Sequence, residues 1–234
     1  EVFLNTGTGK QINLTVNPDF GQAESDEVIV NFSAQETFYS EKRAFFNENQ
    51  SLFDLSHYDR YRVINTRRIG AASSYDCEAS TDEDSCNGVK KSYTDIDFAL
   101  RYTQKNDKND IGIFVAQETD ESFTKGKNFY ALRSKNMVGS RSIGYFLTHV
   151  VNNFTNEKAT VNVIDFSNVK SSKLTLYTDL LSSKKEGISG FGLRSQFVYK
   201  PTPLSRRSGS ILYFEDSFKL NDFGYLKKND WFHI

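Results

Sequence analysis

The chain has 234 residues and a formal net charge of −1, with 29 Lys and Arg against 30 Asp and Glu. That balance argues against a nucleic-acid partner, since no basic excess exists to neutralise phosphates. Aromatics make up 14% of the residues, with Phe alone at 20 and Pro at only 3, a composition that suits strands.

The longest apolar runs, such as residues 111–116, are too short for a membrane-crossing helix. A transmembrane barrel escapes that test, because lipid-facing and lumen-facing side chains alternate and average to a polar hydropathy. The chain opens at Glu1 without a Met or a leader, which reads as the start of a mature chain or of a fragment.

The first 92 residues are irregular. Gly7-Thr8-Gly9-Lys10 reads as a hairpin turn and not as a phosphate loop, because Leu4 stands where the Walker pattern needs its first Gly. Residues 11–16 and 28–32 are predicted strands. Residues 38–55 are too charged and aromatic for a clean strand and are expected to form a short helix or a segment folded inward. Residues 71–92 read as a long loop. Within it, Cys77 and Cys86 bracket a short polar interval that closes easily as a disulfide in an exposed loop, implying an oxidising compartment. A metal reading would need more Cys or His nearby.

From residue 93 onward, short alternating segments follow one another. Ile96, Phe98, Leu100 and Tyr102 alternate with Asp97, Ala99, Arg101 and Thr103, which is period two. Further strands are predicted over 111–115, 128–134, 142–151, 160–166, 173–181, 188–199 and 210–218. Polar turns fall at 105–110, 124–127, 156–158, 184–187 and 206–209. No stretch keeps a helical period over three turns. The expected fold is all-β, an antiparallel up-and-down meander forming a single domain over 1–234. Its regular part is 93–234.

Several groups have residue types suited to chemistry. Glu24 with Asp26, or Glu36 with Glu41, would serve as a hydrolase acid and base if held about 5–10 Å apart. Among 30 acidic residues such pairs also arise as ion-pair partners, here for Arg43, Arg67 and Arg68. Arg67-Arg68 suits bidentate recognition of an anionic group. The candidate ligand-binding set is therefore Arg43, Arg67, Arg68, Glu36 and Glu41. His57, His149 and His233 stand far apart, and the acidic loop at Glu78, Asp82, Glu83 and Asp84 lacks EF-hand spacing. No metal and no cofactor is expected, and no catalytic residue is assigned.

Residues 15–48, TVNPDFGQAESDEVIVNFSAQETFYSEKRAFFNE, resemble the signature of a bacterial outer-membrane β-barrel family of unestablished function. In that family the barrel usually follows a module resembling family-nine carbohydrate-binding domains. Thr66-Arg67-Arg68-Ile69-Gly70 and the segment from Leu220 to Leu226 match two further stretches. Departures are Ser40 and Ala44 in place of Pro, and Asn49 where Gly is common. The resemblance implies an outer-membrane location, lipid as partner, and passage or surface handling of a ligand, with a glycan one candidate. It also implies a longer parent chain that supplies the remaining barrel strands. Two readings stay open beside it: a secreted carbohydrate-active hydrolase using a carboxylate pair, and a soluble β-sandwich binding module.

Overall fold

A computed structural model describes residues 1–18, 40–48, 50–57, 60–75, 77, 83–171, 173–220, 222–229 and 231–233. The predicted strand over 28–32, the Glu24/Asp26 pair and Glu36 lie outside the described residues. Eleven strands form one antiparallel sheet whose order follows the chain apart from interruptions. They are β1 (Val2–Gly7), β2 (Lys10–Val16), β5 (Ile96–Lys105), β6 (Asn109–Glu118), β7 (Lys127–Val138), β8 (Arg141–Asn152), β9 (Glu157–Ser171), β10 (Leu174–Lys185), β11 (Ile188–Thr202), β12 (Ser205–Phe214) and β14 (Trp231–His233). Three two-residue strands, β3 (Ser56–His57), β4 (Tyr61–Arg62) and β13 (Tyr225–Leu226), form a small sheet of their own. The antiparallel meander read from the sequence is the fold. The sheet is open, with β1 and β14 at its edges.

Alternation decides what each face carries, because successive side chains of a strand point to opposite sides. On one face, Phe114, Phe129, Phe146, Val163, Leu181 and Phe214 are buried. They pack on the segment between β2 and β5, which folds back over the sheet. That segment holds the helix α1 (Ala44–Asn47), a 3-10 turn at Gln50–Leu52, β3, β4 and a second 3-10 turn at Thr66–Arg68. Phe45, Phe46, Phe53, Tyr61 and Ile69 from this inner segment join one continuous core, together with Phe218, Leu220 and Phe223. Edge-to-face and tilted ring pairs run through it, including Phe53 with Phe146 at 6.1 Å and Phe129 with Phe223 at 5.1 Å.

Two expectations need correction. The turn predicted at 206–209 is strand, and the chain reverses instead at Pro203 and Leu204. Arg206 and Ser208 look like turn chemistry only if a strand's inner side must be apolar, and here that side is polar. The predicted long loop contains a helix, α2 (Glu83–Gly88), and its disulfide is not exposed. Cys77 and Cys86 are bonded, Cα to Cα 5.5 Å, and are 5% and 0% exposed. The segment is tied back to the sheet end by an Ala71–Tyr93 bridge and by Thr94 Oγ1 donating to Ala71 O at 2.7 Å. A half-cystine there buries readily as a small apolar group.

Candidate functional site

The site is assembled by the inner segment, and the first element to place is the Glu41–Arg43 pair. Arg43 is 2% exposed. Its Nε donates to Glu41 Oε1 at 2.9 Å and its Nη2 to Oε2 at 2.8 Å, a bidentate pair. The remaining guanidinium hydrogens reach Thr66 O at 2.7 Å and Ile69 O at 2.8 Å, and the Thr66 hydroxyl donates to Glu41 Oε2 at 2.7 Å. The planar cation also lies 4.2 Å from the centre of the Phe46 ring. Burial pushes the Glu41 carboxyl up, but the Arg43 hydrogen bonds and charge, with Thr66, more than offset it, so the carboxyl lies below its ordinary range.

This contact joins two stretches that look unrelated in sequence, Glu41-Lys42-Arg43 and Thr66-Arg67-Arg68-Ile69-Gly70. Gly70 closes the second stretch with φ +78°, a conformation that side chains rarely adopt, and its amide donates to Glu118 Oε1 at 2.8 Å. The third stretch docks beside them: Asn65 N donates to Phe223 O at 2.7 Å, and β13 pairs with β4. The described parts of the three matched stretches therefore meet at the inner segment. Of the candidate ligand-binding residues, Glu41 and Arg43 are committed to each other, and Arg67 and Arg68 are half-buried in the second 3-10 turn.

Two cross-strand ion pairs on the inner face have no counterpart in the candidate set. Arg133 grips Asp165 with both guanidinium nitrogens, one contact being Nη2 to Oδ2 at 2.9 Å. The pair spans from β7 to β9 across Gly144 of β8, where a Cβ would meet Arg133 Nη1 at 2.6 Å and collide with Asp165. Arg194 Nε lies 3.0 Å from Asp179 Oδ2, directly opposite on the neighbouring strand. Tyr61 donates its hydroxyl to the same carboxylate. Burial and the nearby Asp179 push the Tyr61 phenol well above its ordinary value, so it stays a donor. The alternation in β5 puts Arg101 on the polar side, but the Arg133–Asp165 and Arg194–Asp179 pairs emerge only from the strand register.

Two concavities adjoin this machinery. One, of about 230 Å³, is lined by Phe46, Gln50, Phe53, Asn65, Arg101 and Phe114 among others. The other is a cleft of about 430 Å³ between β3 and the inner faces of β10, β11 and β12. Among the described residues no group of His, Cys, Asp and Glu is arranged to hold a metal ion.

The opposite face of the sheet carries a different surface. Ile111, Ile113, Ile143, Ile164, Leu180 and Phe191 are each exposed there, with Ile143 at 54% and Ile164 at 49%. Tyr130, Tyr145 and Tyr213 lie on the same side. No helix among the described residues is long and apolar enough to cross a membrane.

Against known proteins, the family model described as Domain of unknown function (DUF5916) matches residues 11–138. No curated protein and no solved structure matches the chain. The matched stretch carries β2, most of the inner segment and β5 through β7, more than half of the 234 residues. The chain belongs to the DUF5916 family of domains of unknown function.

Proposed function

We propose that this chain is part of the wall of a bacterial outer-membrane β-barrel, with the inner segment folded into the lumen, serving passage or surface handling of a ligand such as a glycan. The observation that carries this reading is an apolar outer face. Large apolar side chains line the face turned away from the core, while Arg43, Arg133, Asp165, Asp179 and Arg194 are buried on the other. A water-soluble sheet with one buried face carries polar side chains on the other. A barrel in lipid requires the arrangement seen here.

Strand dimensions agree with the reading. The strands from β5 to β12 run 10 to 15 residues, enough to cross a bilayer with tilt. Connections after β1, β5, β7, β9 and β11 are all two or three residues long, while the opposite end holds the longer connections after β2, β6 and β12 beside short ones after β8 and β10. Backbone groups at the edges of β1 and β14 would need further strands for pairing in lipid. An inner segment that fills the concave side makes the role gated or surface-bound, not an open pore.

Fractionation of the full-length protein tests the reading. It should sediment with outer membranes, resist carbonate extraction and shift in gel mobility on boiling. Recovery as a soluble monomer without detergent would end it and leave the soluble binding module in first place.

A further inference from the structure

Among the described residues four arginines are buried, and three of them have a carboxylate: Arg43 has Glu41, Arg133 has Asp165 and Arg194 has Asp179. Arg101 is the exception. It is 3% exposed and stands between Asn13 of β2 and Phe114 of β6, with no carboxylate in ion-pair contact among the described residues. Its Nη2 donates to Phe45 O and its cation lies 5.0 Å from the centre of the Phe45 ring, but Nη1 is buried without a hydrogen-bond partner. Glu48 attracts it only from a distance, its own oxygens being held by Gln11 Nε2 at 3.3 Å and Asn13 Nδ2 at 3.0 Å. A buried cation without a matching anion is costly, so a group that completes it binds with a corresponding gain.

Arg101 lines the cavity of about 230 Å³ between the inner segment and the sheet, and so does a second unmatched polar group. Asn65 is 7% exposed, and its side-chain amide makes no hydrogen bond among the described residues, although its backbone is engaged with Phe223 and Arg68. The other charges of the lining are already met, Glu41 by Arg43 and Asp54 by Arg62 at 2.9 Å. Phe46 and Phe53 stand against Phe114, with ring centres 6.2 and 6.4 Å from it, and give the cavity an apolar wall. Gly112 of β6 makes that packing possible, since a Cβ there would lie 2.6 Å from the Phe53 ring. Ser40, Asn47 and Asp54 are exposed at the rim, so the cavity opens outward. Its volume is below the roughly 300–1,000 Å³ of pockets for drug-sized molecules, which limits an occupant to about one ring.

We propose that this cavity binds one sugar ring bearing a single carboxylate, a hexuronate unit of an acidic glycan. The carboxylate accepts from Arg101, whose guanidinium turns its Nη1 toward the cavity to meet it. The apolar face of the ring packs on the phenylalanine wall, and Asn65 bonds a ring hydroxyl. A second anionic group would find no unmatched cation in the lining. This deepens the ligand-handling reading above by naming the ligand class, and it rests on that reading.

The test is calorimetric titration of the full-length protein in detergent micelles with three probes: methyl glucuronide, methyl glucoside and cyclohexanecarboxylate. Methyl glucuronide is expected to bind at least tenfold more tightly than either of the others, and this comparison needs no variant. Arg101→Gln should lose at least tenfold in affinity for methyl glucuronide and keep the parent's affinity for methyl glucoside, a split that a merely structural role would not produce. Asn65→Ala should weaken both sugars about threefold and leave cyclohexanecarboxylate unchanged. Equal affinity for the two sugars, no binding of any probe, or an unchanged dissociation constant for methyl glucuronide in Arg101→Gln would overturn the proposal. Cyclohexanecarboxylate binding as tightly as methyl glucuronide would overturn the sugar assignment. If the protein proves soluble yet binds methyl glucuronide through Arg101, the membrane reading fails and this one stands. If it fractionates with outer membranes and binds no probe, the reverse holds.

Discussion

The sheet and the inner segment obey different rules. In the sheet, each strand's structure follows from its own alternation: β6 reads Ile111, Ile113, Val115 to one side and Gly112, Phe114, Ala116 to the other without help from distant residues. In the inner segment, almost nothing is local. Among its described residues, α1 is four residues long with no side-chain cap, and β3 and β4 are two residues each. What holds it is tertiary: Arg43 reaching Thr66 and Ile69, Gly70 reaching Glu118, and Asn65 reaching Phe223. The lesson is that a matched linear motif can encode a docking contact instead of chemistry.

Removing the centre of that contact should have the largest effect. Arg43→Met leaves Glu41 buried and unpaired, with an expected loss of about 3–5 kcal/mol. The unfolding midpoint of the full-length protein measures it, and adding Glu41→Met should recover part of the loss because the stranded charge is then gone. An additive double variant would show that the two side chains act independently.

Next comes the disulfide. Changing Cys77 and Cys86 to Ser should lower stability by about 2–3 kcal/mol on the chain-entropy account, since the bridged loop is short. A change much larger than that would show that the buried sulfurs also anchor α2 to the sheet end through packing.

A pH series sharpens the same point on the inner segment. The Glu41 carboxyl ordinarily titrates at 4.5 and is held lower in the folded protein. Its contribution is therefore complete above pH 4.5 and is lost as pH falls through the folded value. The gap in unfolding midpoint between the parent and Glu41→Gln should be constant near neutrality and close at lower pH. A gap that widens on acidification would contradict the assignment.

The smallest effect is expected at Lys91. Its contacts with Asp95 at 3.2 Å and Glu121 at 2.8 Å raise its ammonium pKa, yet the side chain sits in solvent at the sheet end. Lys91→Ala should leave the unfolding midpoint unchanged within error, as exposed ion pairs generally do.

How much of this was legible follows the same division. Residues 93–218 announce most of their strands through period two: the segments predicted over 111–115, 128–134 and 142–151 lie within β6, β7 and β8. The exception at 206–209 is instructive: Arg206, Ser208 and Gly209 mimic a turn because an inward polar face abolishes the usual contrast. The bulge between Ile96 and Phe98, which places both Ile96 and Ala99 inside, could not be read, since a register slip leaves no compositional trace. β3, β4 and β13 are too short for any period to show. The Arg133–Asp165 bridge needs three strands in register and a Gly between them, a relation spread over 32 residues.

The central claim is that the outer face of the sheet meets lipid, and one substitution separates that from every soluble alternative. Ile164 sits midway along β9, 49% exposed on that face. With the full-length protein folded into lipid vesicles, denaturant unfolding of Ile164→Arg should show a loss of about 2–4 kcal/mol, the penalty for a cation near the bilayer midplane. An exposed position in water tolerates the same change within about 0.5 kcal/mol, and that result would contradict the account.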